Sequence, residues 1–105
     1  MLRIYPVVLE LLAALRPLMT QIDKRDSDLA RQMRRAATSV ALNLGEGMYS
    51  RGKNRQVRYH SALASMRETV ACIEVAVALG YVARADTNLM DRMSLVTGTL
   101  VKLVR

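Results

Sequence analysis

An apolar residue returns every third or fourth position in four separate stretches of this 105-residue chain, and that rhythm leaves little choice of fold. Ile4, Val8, Leu11, Leu15, Leu18 and Ile22 step by four and three in turn. Leu29, Met33, Ala36, Val40 and Asn43 keep the same beat, as do Tyr59, Leu63, Met66, Val70, Ile73 and Val77. Leu89, Met93, Val96, Leu100 and Leu103 complete the set. A repeat of about 3.5 residues puts each series on one stripe of a helix, and helices with such stripes pack near +20° in a left-handed bundle. Strand signals are missing: no Asn-Gly or Asp-Gly turn joins alternating runs, and there is no Phe or Trp. The predicted class is all-α, an antiparallel up-down four-helix bundle.

Turn residues mark the breaks. Helix one is expected from about Arg3 to Ile22, with Pro6 tolerated in its first turn and Pro17 kinking or interrupting it by removing the bond to the Ala13 carbonyl. Asp26 or Ser27 caps helix two, Gly45 and Gly47 loosen its end, and Ser50-Arg51-Gly52 is the next turn. Helix three runs from about Lys53 to Leu79 and stops at Gly80, and Asp86 caps the last helix. No repeat, linker or low-complexity tract divides the chain, so residues 1–105 are read as one domain. With 51% hydrophobic and 24% charged residues it can bury about two thirds of its unfolded surface and fold without cross-links.

Several chemistries are excluded at this level. Cys72 is the only cysteine and His60 the only histidine, so disulfide scaffolds, zinc ribbons and His-rich metal sites are out. A di-iron bundle centre needs Glu-x-x-His pairs on two helices, whereas the residue three before His60 is Val57. The glycines at 45, 47 and 52 follow no strand and precede no Gly-Lys-Ser/Thr, so no nucleotide loop is present. No apolar run reaches the roughly 18 residues of a membrane span, and the opening Met-Leu-Arg-Ile-Tyr-Pro does not read as a signal peptide. A cytoplasmic protein with no enzymatic activity, no cofactor and no membrane contact is expected.

The charge is concentrated. Between Leu29 and His60 stand Arg31, Arg34, Arg35, Arg51, Lys53, Arg55 and Arg58 against Glu46 alone, which accounts for +6 of the net +7. Such a stretch is either a solvated face or a polyanion-binding one. The turn residues Arg51, Lys53, Arg55 and Arg58 are the first candidates for phosphate contacts, with Arg31 and Arg34 next. None of the first four lies on a seam, so replacing them should leave the fold intact. Only Tyr49 and Tyr59 interleave these charges, so binding through backbone and shape is expected rather than sequence reading.

Two further patterns stand out. Leu2, Leu9, Leu12 and Met19, then Val75, then Met90, Val101 and Val104 form second apolar sides on helices one, three and four, which points to a subunit interface. Helices two and three form a hairpin about residue 51 or 52, so positions summing to about 103 face each other: Asn43 and His60, Arg35 and Glu68, Glu46 and Val57. Arg35, Asn43, Glu46, His60, Ser65 and Glu68 are read as an interhelical polar network that sets register. Ala36, Ala37, Ala41 and Gly45 are small enough to let a neighbouring helix approach closely.

The stretch Met33 through Gly47, with its Arg-Arg-Ala-Ala-x-Ser-Val-x-Leu-Asn-Leu-x-Glu-Gly pattern, resembles the signature of the bacterial four helix bundle protein family. That family includes the protein encoded in intervening sequences of 23S ribosomal RNA genes and the accessory variability determinant of diversity-generating retroelements. A second block matches at Arg58-Tyr59, Ala62, Ser65-Met66, Glu68 and Leu79-Gly80-Tyr81-Val82. Met33 stands where Leu is usual, Ala64 where glycine is common, and Gly52 where a capping Ser is frequent. The resemblance implies a homopentamer around a central axis and, for the retroelement members, a basic surface that binds DNA or RNA and a reverse transcriptase. Two functions remain open: an oligomeric nucleic-acid-binding accessory protein, or an interaction scaffold for an acidic protein partner.

Overall fold

The computed structural model describes residues 2–84 and 86–105; Met1, where the single domain is expected to begin, and Ala85 lie outside them. Four helices are present, α1 (Ile4–Asp23), α2 (Ser27–Met48), α3 (Gly52–Ala78) and α4 (Thr87–Leu103), and among the described residues there is no strand. The expected boundaries hold to within a residue or two, and local chemistry accounts for them. The Asp26 carboxylate accepts the Leu29 N–H at 3.0 Å and so caps α2. That bond is the main reason its pKa lies below the ordinary carboxylate value. Asp86 caps α4 in the same way, taking the Asn88 N–H at 3.2 Å. At the end of α3, Gly80 turns left-handed (φ 75°). The Tyr81 N–H then reaches back to the Ala76 carbonyl at 2.9 Å and that of Gly80 to Val77 at 3.0 Å, satisfying carbonyls the helix would otherwise orphan.

Pro17 does not interrupt α1, which continues to Asp23. Ala13 and Pro17 are both exposed, so the carbonyl that loses its partner is open to water. Gly47 does not loosen α2 either: it is buried inside the helix, against the Tyr59 ring.

Successive helices pack antiparallel. The Leu2 N–H meets Met48 Sδ at 3.3 Å, bringing the start of α1 to the end of α2. Ser39 meets Ser65 across α2 and α3. Glu74 lines a recess with Met90, and Arg67 lines the same recess with Thr97, along α3 and α4. Helix α1 also touches α4, and the α2–α3 pair is the most extensive contact. The core between them is built mainly from the predicted stripes: Val8, Leu11, Leu15, Ile22, Met33, Val40, Met66, Ile73, Met93, Val96 and Leu100 are sealed from solvent, and Leu44, which lies off the predicted stripe, is sealed with them in the place expected of Asn43.

The stripes depart from expectation at their edges. Val77 is exposed, lining a surface recess with Thr87 and Met90, and Ala76 takes the buried place. Met19 is buried while Leu18 is half-buried beside Leu89. Asn43 is half-buried at the rim of the α2–α3 contact rather than in the core. Of the second apolar sides, Leu2, Leu12, Met90, Val101 and Val104 pack partly against the core of their own chain. Only Leu9 and Val75 of that set stay exposed.

The molecule measures 43 × 25 × 20 Å. Its long axis follows α3, whose 27 residues span about 40 Å, whereas the 17 residues of α4 span about 25 Å. Every residue from Arg51 to Arg58 is exposed, and Tyr59 is the first buried side chain of α3. About two turns of basic helix therefore stand clear as a tip.

Candidate nucleic-acid interface

The basic residues divide between that tip and the outward face of α2. Helical spacing puts Arg31, Arg35, Thr38 and Leu42 on one side of α2, away from the core stripe of Met33, Val40 and Leu44. Arg31, Arg34 and Arg35, with Arg58 reaching across from α3, line a shallow surface recess of about 620 Å³ whose floor includes Thr38, Ser39, Leu42 and Asn43. Glu46 is the one acid there, and Arg58 holds it at 2.9 Å. Arg31 makes a looser contact of 3.6 Å with Asp28, both side chains mostly in water, so that pair neutralises little. The face stays strongly positive.

The tip residues are not equivalent. Arg51 and Lys53 extend into solvent, whereas the Arg55 Nε turns back to donate to the carbonyls of Ser50, at 2.9 Å, and Gly47, at 3.3 Å. Arg55 thereby adds a donor to carbonyls at and just past the end of α2 and ties the turn to α3. All four tip residues lie off the core, but Arg55, and Arg58 whose guanidinium bridges the hairpin to Glu46, make contacts within the hairpin that their off-seam positions do not suggest.

The expected six-residue network is replaced by a smaller one around a single interhelical hydrogen bond. Asn43 Nδ2 donates to the Ser39 carbonyl and hydroxyl, each at 2.9 Å; Ser65 Oγ donates to Ser39 Oγ at 2.8 Å; and Thr69 Oγ1 donates to the Ser65 carbonyl at 2.8 Å. Its hub is Ser39, which sequence reasoning left out. The contacting pairs, Ser39 with Ser65 and Glu46 with Arg58, sum to 104 rather than 103, and with that axis both follow from residue numbers alone. Asn43 therefore does not pair with His60. Among the described residues no hydrogen bond or ion pair joins Arg35, His60 or Glu68 to the network; His60 and Glu68 are exposed, and Glu68 sits near enough to Cys72 to add to the upward push that burial gives the thiol.

No three of His, Cys, Asp and Glu gather into a metal-sized cluster among the described residues, and no described helix is long and apolar enough to cross a membrane. A small all-α protein with one strongly basic flank is what fold and surface define. Residues 2–101 match the 23S rRNA-intervening sequence protein family, and the chain belongs to it. A solved structure of a protein of unknown function from the S23 ribosomal protein family of Bacteroides thetaiotaomicron has the same fold, with a TM-score of 0.86 over 97% of this chain and 98% of that one at 16% identity. No curated protein matches the chain.

Proposed function

We propose that the protein is a non-enzymatic, oligomeric nucleic-acid-binding accessory protein that holds phosphate backbones against its basic flank. The observation that carries this reading is the convergence of Arg31, Arg34, Arg35 and Arg58 on one recess with a single acid among them, next to a solvated tip bearing Arg51 and Lys53. Lysines and arginines so placed displace counterions from a polyanion, which gives affinity without sequence reading. The family resemblance supports assembly as a homopentamer, and a ring would present several such flanks to one ligand. It also supports a reverse transcriptase as a protein partner.

The test uses Arg31, Arg34, Arg51 and Lys53 changed together to Gln, leaving Arg55 to close its turn. Thermal unfolding should match the parent. Affinity for RNA and DNA, read by fluorescence polarisation, should fall for all sequences. The slope of log affinity against log salt should become shallower by up to about 0.9 for each duplex phosphate that is no longer neutralised. A parent that binds no nucleic acid even at low salt overturns the reading. The scaffold alternative then takes its place, favoured by Leu42, which lies 63% exposed among the arginines and suits an acidic, partly apolar protein segment.

A further inference from the structure

Four tyrosines are present, and three serve the fold. Tyr5 lies against Gly45, Tyr59 is buried against Gly47, and Tyr81 packs under the Arg25 guanidinium, 5.7 Å from its ring centroid, with its phenol pKa raised chiefly by Asp26. Tyr49 is 88% exposed, the most exposed of the large apolar side chains. Its backbone is nonetheless fixed. The Tyr49 N–H closes α2 on the Glu46 carbonyl at 3.2 Å, the next N–H bonds to Gly47 at 3.2 Å, and Arg55 clamps the carbonyls on either side. A tyrosine on a rigid backbone loses little conformational freedom when something covers its ring.

Its surroundings say what that something is. Leu42, exposed as well, precedes Tyr49 by seven residues on the same face of α2, and Arg35 and Arg31 continue that line for about 27 Å in all. Arg51 and Lys53 follow within four residues on the tip. Exposed apolar groups strung between phosphate-binding cations suit a ligand with both a charged backbone and uncovered apolar faces. Duplex nucleic acid hides its base faces in the stack; an unpaired strand offers them.

Resting on the phosphate-binding reading above, we infer that the ligand is single-stranded nucleic acid, with Tyr49 as the platform on which one of its bases stacks. Stacking of this kind is tolerant of sequence, because every base has a π-face. Leu42 covers apolar surface farther along the strand, while Arg35 and Arg31 hold its phosphates.

The experiment compares oligo(dT), oligo(rU) and a duplex of equal length by fluorescence polarisation. The parent should favour the single strands. Tyr49→Ala should weaken them about fivefold or more, the scale found for base–aromatic stacking, and leave the duplex unchanged, while Tyr49→Phe should restore the parent value. Because the chain has no Trp, Tyr49→Trp supplies a lone reporter whose emission should be quenched by single strands and far less by duplex. The relative affinities of oligo(dT) and oligo(rU) tell a DNA ligand from an RNA one. Unchanged single-strand affinity in Tyr49→Ala, or equal losses for strand and duplex, overturns the platform. The glutamine variant separates the two readings: if it loses binding while Tyr49→Ala does not, phosphate contact stands and stacking falls. A parent that binds nothing overturns both.

Discussion

A Cβ built on Gly47 would stand 2.5 Å from Cε1 and 2.8 Å from Cδ1 of the Tyr59 ring, a space no side chain fits without moving that ring. At Gly45, two residues earlier on the same helix, the nearest atoms belong to Tyr5 at 3.7 Å, an ordinary contact. The two glycines therefore predict opposite outcomes. Gly47→Ala should destabilise by about 1–3 kcal/mol through overpacking. Gly45→Ala should stabilise by roughly 0.5–1 kcal/mol by restricting the unfolded chain and improving helix propensity. Denaturant melts of the two variants, read side by side, check both. Sequence reasoning could not separate these glycines, because whether a Cβ fits depends on which ring lies across the interface. Asp26 gives a pH-dependent case. Its folded pKa is depressed, chiefly by the Leu29 N–H, so its stabilisation is present above its unfolded pKa and is lost as pH falls through the folded value. Asp26→Ala should be less stable than the parent at neutral pH, and the gap should close in acid below the ordinary carboxylate range, as melts across that range will show.

At the scale of the element, register in the α2–α3 hairpin is carried by two cross-links, Ser65 to Ser39 and Arg58 to Glu46, some two turns apart. Because both Asn43 bonds end on Ser39 of its own helix, Asn43→Leu should leave the register alone. Removing Ser39 should weaken the hairpin instead. A double-mutant cycle of Ser39→Ala with Ser65→Ala should give a coupling of about 0.5–1.5 kcal/mol, the usual net worth of an intramolecular hydrogen bond. A cycle that closes near zero would mean the serines merely pack. The number and bounds of the helices are readable from the sequence because caps, stop signals and the apolar beat are local. The pairing is not, since a half-residue shift of the hairpin axis, from a pair sum of 103 to 104, moves every partner by one residue. Pro17 misleads for a related reason: a missing N–H on the solvent side breaks nothing that water cannot mend. Arg55 misleads because its charge is visible in a sequence and the carbonyls it reaches for are not.

For the molecule as a whole, Val57, Ala64, Ala71, Val75 and Leu79 form an exposed, nearly uncharged line along the outer side of α3, with Glu68 the one charge among them. If subunits assemble through this side, light scattering should give several times the mass of one chain, and Ala71→Glu with Val75→Glu should reduce it to a monomer that still melts cooperatively. A parent already at the mass of one chain would end the oligomeric reading. The overhang of α3 beyond α4 also gives the molecule an uneven clock. Amide hydrogens in the two solvated turns before Tyr59 should exchange sooner than those around Met66 and Ile73, which should wait for global opening. Trypsin should feel the same difference, cutting after Arg51 or Lys53 well before Arg67 in the body of α3. Because α1 and α2 contact each other, α4 and α3 do likewise, and the core joins both pairs, the nicked halves should stay folded together as a noncovalent pair. The stretch proposed to meet the ligand would then also be a place where the chain can be opened without being undone.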